Sequence, residues 1–275
     1  MFKALSLEWS ALSHSGSRKE RNDDSWLAFA SSPAGAETLR DSGSHSLKEH
    51  DLVFAVSDGM GGANAGDLAS QLILQKMSEV IPETFKIAAK GFYPDCLDHL
   101  SNALESVHEH INAAGIGEKE GMAATLALGW FTVENLYIAN AGDSRIYRSR
   151  DGELEQLSRD HCLAWNDWKR GAIGEVEYRN HPRRAALYQV IGGGHPTVSP
   201  HLATFPYQSG DRFLICSDGL IDGIWERHIK NALKENEIPA KAAELMLKRA
   251  LENSGIDDVT LVVIHVRDAA EGTKS

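Results

Sequence analysis

The sequence predicts an α+β chain in which buried strands alternate with amphipathic helices. Three observations carry that class. Apolar runs of strand length recur at 52–57, 213–217 and 259–266, each beside an aspartate. Apolar residues repeat every three or four positions over 66–81, 97–114 and 240–253. Turns of hairpin type, Asp151-Gly152 above all, join extended runs. The 275 residues are 42% hydrophobic and contain neither an internal repeat nor a Pro/Ser linker, so we read one domain over 1–275.

Taken in order, Leu5, Leu7, Trp9 and Ala11 alternate with polar residues and predict a half-buried first strand. Trp26-Leu27-Ala28-Phe29-Ala30 predicts a second. Residues 31–50, rich in Ser, Gly and charge, read as an exposed loop. After the strand at 52–57 comes a helix whose face is Leu68, Leu72, Ile73, Met77 and Val80, stopped by Pro82. The next helix has Leu97, Leu100, Leu104, Val107, Ile111 and Ala114 on one face, Asp95 as N-cap and Gly115 past its end. His99, His108 and His110 ride on it without the i,i+4 spacing of a metal pair, so they read as packing or solvated histidines. Runs at 125–128, 136–139 and 145–148 continue the strands. Residues 161–200 lose periodicity and read as an irregular insert over one edge of the fold, with Gly192-Gly193-Gly194 a flexible turn. No Lys-Ser/Thr follows that triplet, which excludes a nucleotide P-loop. The strand at 213–217, a helix opened by Pro239 and closed by Gly255, and the strand at 259–266 complete the chain.

Bulk properties exclude whole classes. A net charge of −11 argues against a nucleic-acid partner. No apolar run approaches the ~20 residues that span a bilayer, and Lys3 comes too early for a signal peptide. No membrane partner is expected. Cys96, Cys162 and Cys216 are odd in number and widely spaced, as reduced thiols of a cytoplasmic protein are.

The recurring event is a carboxylate at a strand end: Asp23 and Asp24, Asp58, Asp143, Asp218 and Asp257. Any one of them reads as a turn cap. Several gathered by one sheet system point to a divalent cation, because buried uncompensated carboxylates are costly. The donors are all oxygen, with no Cys pair and no H-E-x-x-H, which selects Mg²⁺ or Mn²⁺ over zinc. Two such ions sharing a bridging Asp suit in-line attack on phosphorus. A Ser-His-Asp hydrolase is excluded by the lack of a G-x-S-x-G elbow.

Seven short motifs then occur in a familiar order: Arg21-Asn22-Asp23-Asp24-Ser25, Val56-Ser57-Asp58-Gly59-Met60-Gly61-Gly62, Met122-Ala123-Ala124-Thr125, Ala141-Gly142-Asp143-Ser144-Arg145, Leu157-Ser158-Arg159-Asp160-His161, Ser217-Asp218-Gly219-Leu220 and Asp257-Asp258-Val259-Thr260. On these the chain resembles the metal-dependent Ser/Thr protein phosphatases of the PPM, or type 2C, family, especially their compact bacterial members, over about 10–266. The resemblance implies an antiparallel β-sandwich flanked by helices on both outer faces (α-β-β-α layers), with 161–200 as the inserted flap segment. It implies that Asp58 bridges two metals, that Asp218 and Asp257 complete one site, and that Asp23 and the Gly59 carbonyl hold the other with Asp24 in support. Asp143, with Asp218, matches the family's third, weaker site. Substrates would be phosphoserine and phosphothreonine proteins, with a Ser/Thr kinase and its targets as partners; the oligomeric state stays open.

Departures from the family pattern bear on the site. Lys19 stands where the phosphate-gripping Arg is usual, so the anchor is one of Arg18, Lys19 and Arg21. Asp23 stands where Glu is common, and Asp258 where Asn is usual, which reads as an added negative charge. Met60 occupies the place of a proton-donating His in eukaryotic relatives, as in many bacterial ones. The competing reading is a catalytically weak phosphatase-like binding module.

Overall fold

The computed structural model describes residues 5–17, 21–32, 34–48, 50–60, 65–82 and 96–269. Two antiparallel sheets form its centre. One has six strands in the order β10 (Glu153–Gln156), β9 (Arg145–Arg150), β13 (Arg212–Cys216), β14 (Val259–Asp268), β1 (Leu5–His14) and β4 (Ser42–Ser46). The other has eight: β11 (Ile191–Gly192), β6 (Ala123–Ala124), β5 (Asp51–Met60), β7 (Leu126–Phe131), β8 (Asn135–Ala141) and β12 (His201–Pro206), with β2 (Asp24–Ser32) on the free side of β5 and β3 (Gly35–Thr38) beyond it.

Alternation along each strand builds the layers. Leu52, Phe54 and Val56 of β5 point inward, where they meet Trp9, Phe131, Phe213, Val262 and Ile264 between the sheets. Val53 and Ala55 point the other way, onto α1 (Gly66–Val80) and α2 (Cys96–Ala114) through Ile73, Met77, Leu104 and Val107. Leu261 and Val263 of β14 face the opposite helical layer, formed by α5 (Asp218–Gly223), α6 (Glu226–Glu235) and α7 (Pro239–Asn253). A strand covered on both faces reads as a continuous apolar run, which is why 259–266 has no polar alternation. The arrangement is the α-β-β-α sandwich that the motifs implied.

Two expectations are corrected. Residues 31–50 are no loop: β3 pairs with β2 and β4 pairs with β1, so the segment passes from one sheet to the other as two short edge strands. Their side chains are largely exposed and polar, and the backbone ladder that makes them strands leaves no mark on composition. The insert at 161–200 carries two short helices, α3 (Trp165–Lys169) and α4 (Glu175–Arg179), and its Gly192-Gly193-Gly194 turn is pinned rather than flexible. His108 of α2 accepts from the Gly192 amide at 3.1 Å and donates to the His195 carbonyl at 2.8 Å. Asn112 accepts from the Gly194 amide at 2.9 Å. His108 is thus a packing histidine. Asp95 lies outside the described residues. Among the described residues no helix is long and apolar enough to cross a membrane.

Candidate metal centre

The carboxylates gather at one end of the sandwich because the strands that bear them are registered there. Asp24 and Asp58 are direct cross-strand partners on β2 and β5. Asp143 occupies the turn between β8 and β9, Asp218 opens α5 directly after β13, and Asp257 precedes β14, which pairs with β13. Asp58 and Asp24 have dedicated holders. Asp58 donates its N–H to Thr125 Oγ1 at 3.0 Å and accepts the Thr125 N–H at 2.9 Å. Ser217 Oγ donates to Asp24 Oδ2 at 2.6 Å and itself accepts the Thr260 amide at 3.0 Å. Gly59 is required by close approach: a Cβ there would lie 2.0 Å from the Gly66 carbonyl oxygen. Gly66, in turn, faces the Gly59 carbonyl and the Asp23 carboxylate, so these oxygens share one corner at the start of α1.

Electrostatics mark the cluster as short of positive charge. Burial, then the charges of Asp24, Asp218, Asp143 and Asp257, push the Asp58 carboxyl well above the usual range. Burial pushes Asp24 up to about 7, even against its bond from Ser217. Asp218 rises to about 6, through burial and then Asp222. Asp143 rises through burial, Asp218 and Asp160. Asp24 Oδ1 and Asp218 Oδ1 are buried with no hydrogen-bond partner. Among the described residues no three side chains are already closed into a metal-ligand group. The site is nonetheless an all-oxygen set with two orphaned carboxylate oxygens, and that chemistry fits a hard divalent cation.

Three residues here escaped the sequence. Asp258 adds its negative charge beside Asp24, and its two oxygens also accept the amides of Gly16 and Asp23, both at 2.8 Å, and so fix Asp23. Two acceptors are what a carboxylate offers and an Asn does not. Thr125 lay inside a recognised motif, yet nothing there pointed to its grip on Asp58. Arg184, from the insert, pairs with Asp222 at 2.5 Å, and its charge opposes the rise of both Asp143 and Asp218. Of the candidate phosphate anchors, Arg18 and Lys19 lie outside the described residues. Arg21 is exposed and faces Asp67 of α1 at 3.9 Å.

Comparison with known proteins agrees with this geometry. The protein phosphatase 2C family model matches residues 35–255. The serine/threonine protein phosphatase PstP of Mycobacterium tuberculosis is 34% identical over 218 residues, covering 78% of this chain and 40% of that protein. The chain therefore spans about two fifths of that relative's length. The serine/threonine phosphatase stp of Listeria monocytogenes is 29% identical over 219 residues, covering 79% and 85%. The crystal structure of the PstP catalytic domain in complex with two manganese ions superposes with a TM-score of 0.72 at 30% identity, covering 96% of this chain and all of that one. The S. agalactiae serine/threonine phosphatase gives 0.76 at 25% identity, covering 94% and 99%. By its fold, its ordered motifs and the extent of these matches, the chain belongs to the protein phosphatase 2C family.

Proposed function

We propose that the chain is a Mg²⁺- or Mn²⁺-dependent phosphatase of phosphoserine and phosphothreonine proteins, with a dinuclear centre. The observation that carries this reading is the buried carboxylate cluster with its two orphaned oxygens. We assign Asp58 as the bridge, Asp218 and Asp257 to one ion, Asp23 and the Gly59 carbonyl to the other, and Asp143 with Asp218 to a third, weaker site. When bound, such ions supply an activated water nucleophile and polarise the phosphoryl oxygens.

The chain's own residues prepare that chemistry. Thr125 fixes the backbone of Asp58, so its carboxylate projects from a strand rather than a loop. Asp24 is immobilised by Ser217 beside Asp58 and adds negative charge that favours cation entry. Asp258 sets the Asp23 backbone. Met60 carries no exchangeable proton, so leaving-group protonation falls to water. The phosphate anchor is one of Arg18, Lys19 and Arg21. The insert 161–200 serves as a flap within one domain over 1–275. Buried thiols at Cys162 and Cys216 favour a cytoplasmic setting, and a Ser/Thr kinase with its targets is the expected substrate source.

Hydrolysis of p-nitrophenyl phosphate should be stimulated by Mn²⁺ and abolished by EDTA and by Asp58→Asn. Turnover that survives both treatments would overturn the assignment. Calorimetry showing no Mn²⁺ binding, with no turnover, would favour the weak-binding-module reading.

A further inference from the structure

Where the insert meets the turn between β8 and β9, a cavity of about 440 Å³ is lined by Arg159, His161, Tyr188, Gln189, Ser199 and His201. One wall of it is tied to the turn that bears Asp143, since the Gly142 amide donates to His161 Nδ1 at 3.1 Å. An amide can only donate, so Nδ1 is the bare nitrogen and the ring proton of neutral His161 sits on Nε2. The His161 ring is 4% exposed, packed edge to face on Tyr188 at 5.5 Å. Its Nε2–H has no partner among the described residues and is the donor left for the cavity. Burial, then the neighbouring His201 and Arg159, hold His161 neutral, with a pKa lowered to about 4. His201 is held down by burial and Arg159, and its buried Nδ1 has no partner. Arg159 is anchored by one N–H on Asn166 Oδ1 at 3.2 Å. No carboxylate lines the cavity, in a chain of net charge −11. An exposed cation beside unused donors complements an anion.

We propose that this cavity is a substrate subsite for a second anionic side chain, a carboxylate or another phosphoryl group, near the phosphoresidue being hydrolysed. Arg159 is its specificity-determining residue and His161 Nε2–H its oriented donor. The inference rests on the phosphatase reading above.

The test compares phosphopeptides that differ only in flanking residues, with Ala, Glu or phosphoserine, against p-nitrophenyl phosphate, which has no flank. With Mn²⁺ present, the native chain should favour the anionic peptides over the Ala peptide by about tenfold in kcat/KM. Arg159→Ala should erase that preference, Arg159→Lys should restore part of it, and p-nitrophenyl phosphate turnover should stay unchanged in both. The relative rates of the Glu and phosphoserine peptides tell which anion the subsite takes. A native chain without preference, a preference that survives Arg159→Ala, or an equal loss on every substrate would overturn the subsite. Absence of p-nitrophenyl phosphate turnover by the native chain would instead overturn the phosphatase reading, and the subsite with it.

Discussion

The molecule buries two clusters of ionised side chains and treats them in opposite ways. Beneath the insert, Arg145 reaches Asp160 with Nε at 3.0 Å and Nη2 at 2.7 Å, and Tyr147 with Nη1 at 2.7 Å. Gln156 and Tyr178 donate to the same carboxylate, while Trp168 and Tyr178 cover the guanidinium. No atom of Arg145 or Asp160 is left unsatisfied. At the end of the sandwich, Asp24, Asp58, Asp143 and Asp218 have no comparable cation, and carboxylate oxygens stay orphaned. Arg184, which opposes the rise of Asp143 and Asp218, is itself paired with Asp222 and leaves those oxygens without a partner. Structure is being served in the first case and a ligand awaited in the second.

The contrast can be broken most severely at Asp58. Asp58→Asn should lower kcat by about a thousandfold, and the rise in Tm that Mn²⁺ gives the native chain should disappear. A variant that keeps the Mn²⁺ response would remove Asp58 from the bridge. At the balanced cluster, Arg145→Met leaves Asp160 buried and unpaired, and urea unfolding should show a loss of about 3–5 kcal/mol. The double variant Arg145→Met/Asp160→Leu should recover most of it. If it is no more stable than Arg145→Met alone, the charge-balance account of that cluster fails.

Asp51 offers an intermediate case. It is a half-buried carboxylate facing only the neutral Trp130 indole N–H at 2.9 Å, and burial lifts its pKa to about 6. A raised carboxylate pKa favours the protonated folded state. That contribution is complete below the unfolded pKa near 3.8 and is lost as pH rises through about 6. Asp51→Asn keeps an acceptor for Trp130, so it should stabilise the protein by on the order of 2 kcal/mol at pH 8 and by almost nothing at pH 3.5. A gain that does not depend on pH would refute the cause. The smallest effect is expected at Asp258, where Asn leaves one of two buried amides without its acceptor. Asp258→Asn should cost about 1 kcal/mol and weaken Mn²⁺ retention measured by calorimetry.

Much of the sandwich was legible because burial on one or both faces writes a period into the sequence. The inner residues of β1, the apolar runs of β5, β13 and β14, and the faces of α1, α2 and α7 are all of this kind. What stayed hidden rests on forces without a side-chain signature. β3 and β4 are held chiefly by the backbone ladders to β2 and β1. α6 is so charged that Ile229, Ala232 and Leu233, its buried face, form too brief a pattern to stand out. At the site, the aspartates were visible one by one, and their convergence needed the register of β2 on β5 and of β13 on β14. Asp258 was visible as an added negative charge, which it is for Asp24, but its grip on two amides from residues over two hundred positions away was not. Arg184 had no signal, since nothing in 161–200 announces which arginine will turn inward.

The pairing of β1 with β14 along ten residue pairs, from Leu5 with Asp268 to His14 with Val259, has a bearing on synthesis. β14 lies between β13 and β1 in the six-stranded sheet, so β1 must wait for a strand about 250 residues later before the sheet can close. Such long-range pairing raises contact order and slows folding, and it leaves open strand edges on the growing chain. Asp24 and Asp58 already meet on β2 and β5, so it is Asp257, beside β14, that joins them only when that closure occurs. A fragment ending before Val259 would leave β1 without its ten-residue partner, and Asp257 unplaced, however well its other strands had formed.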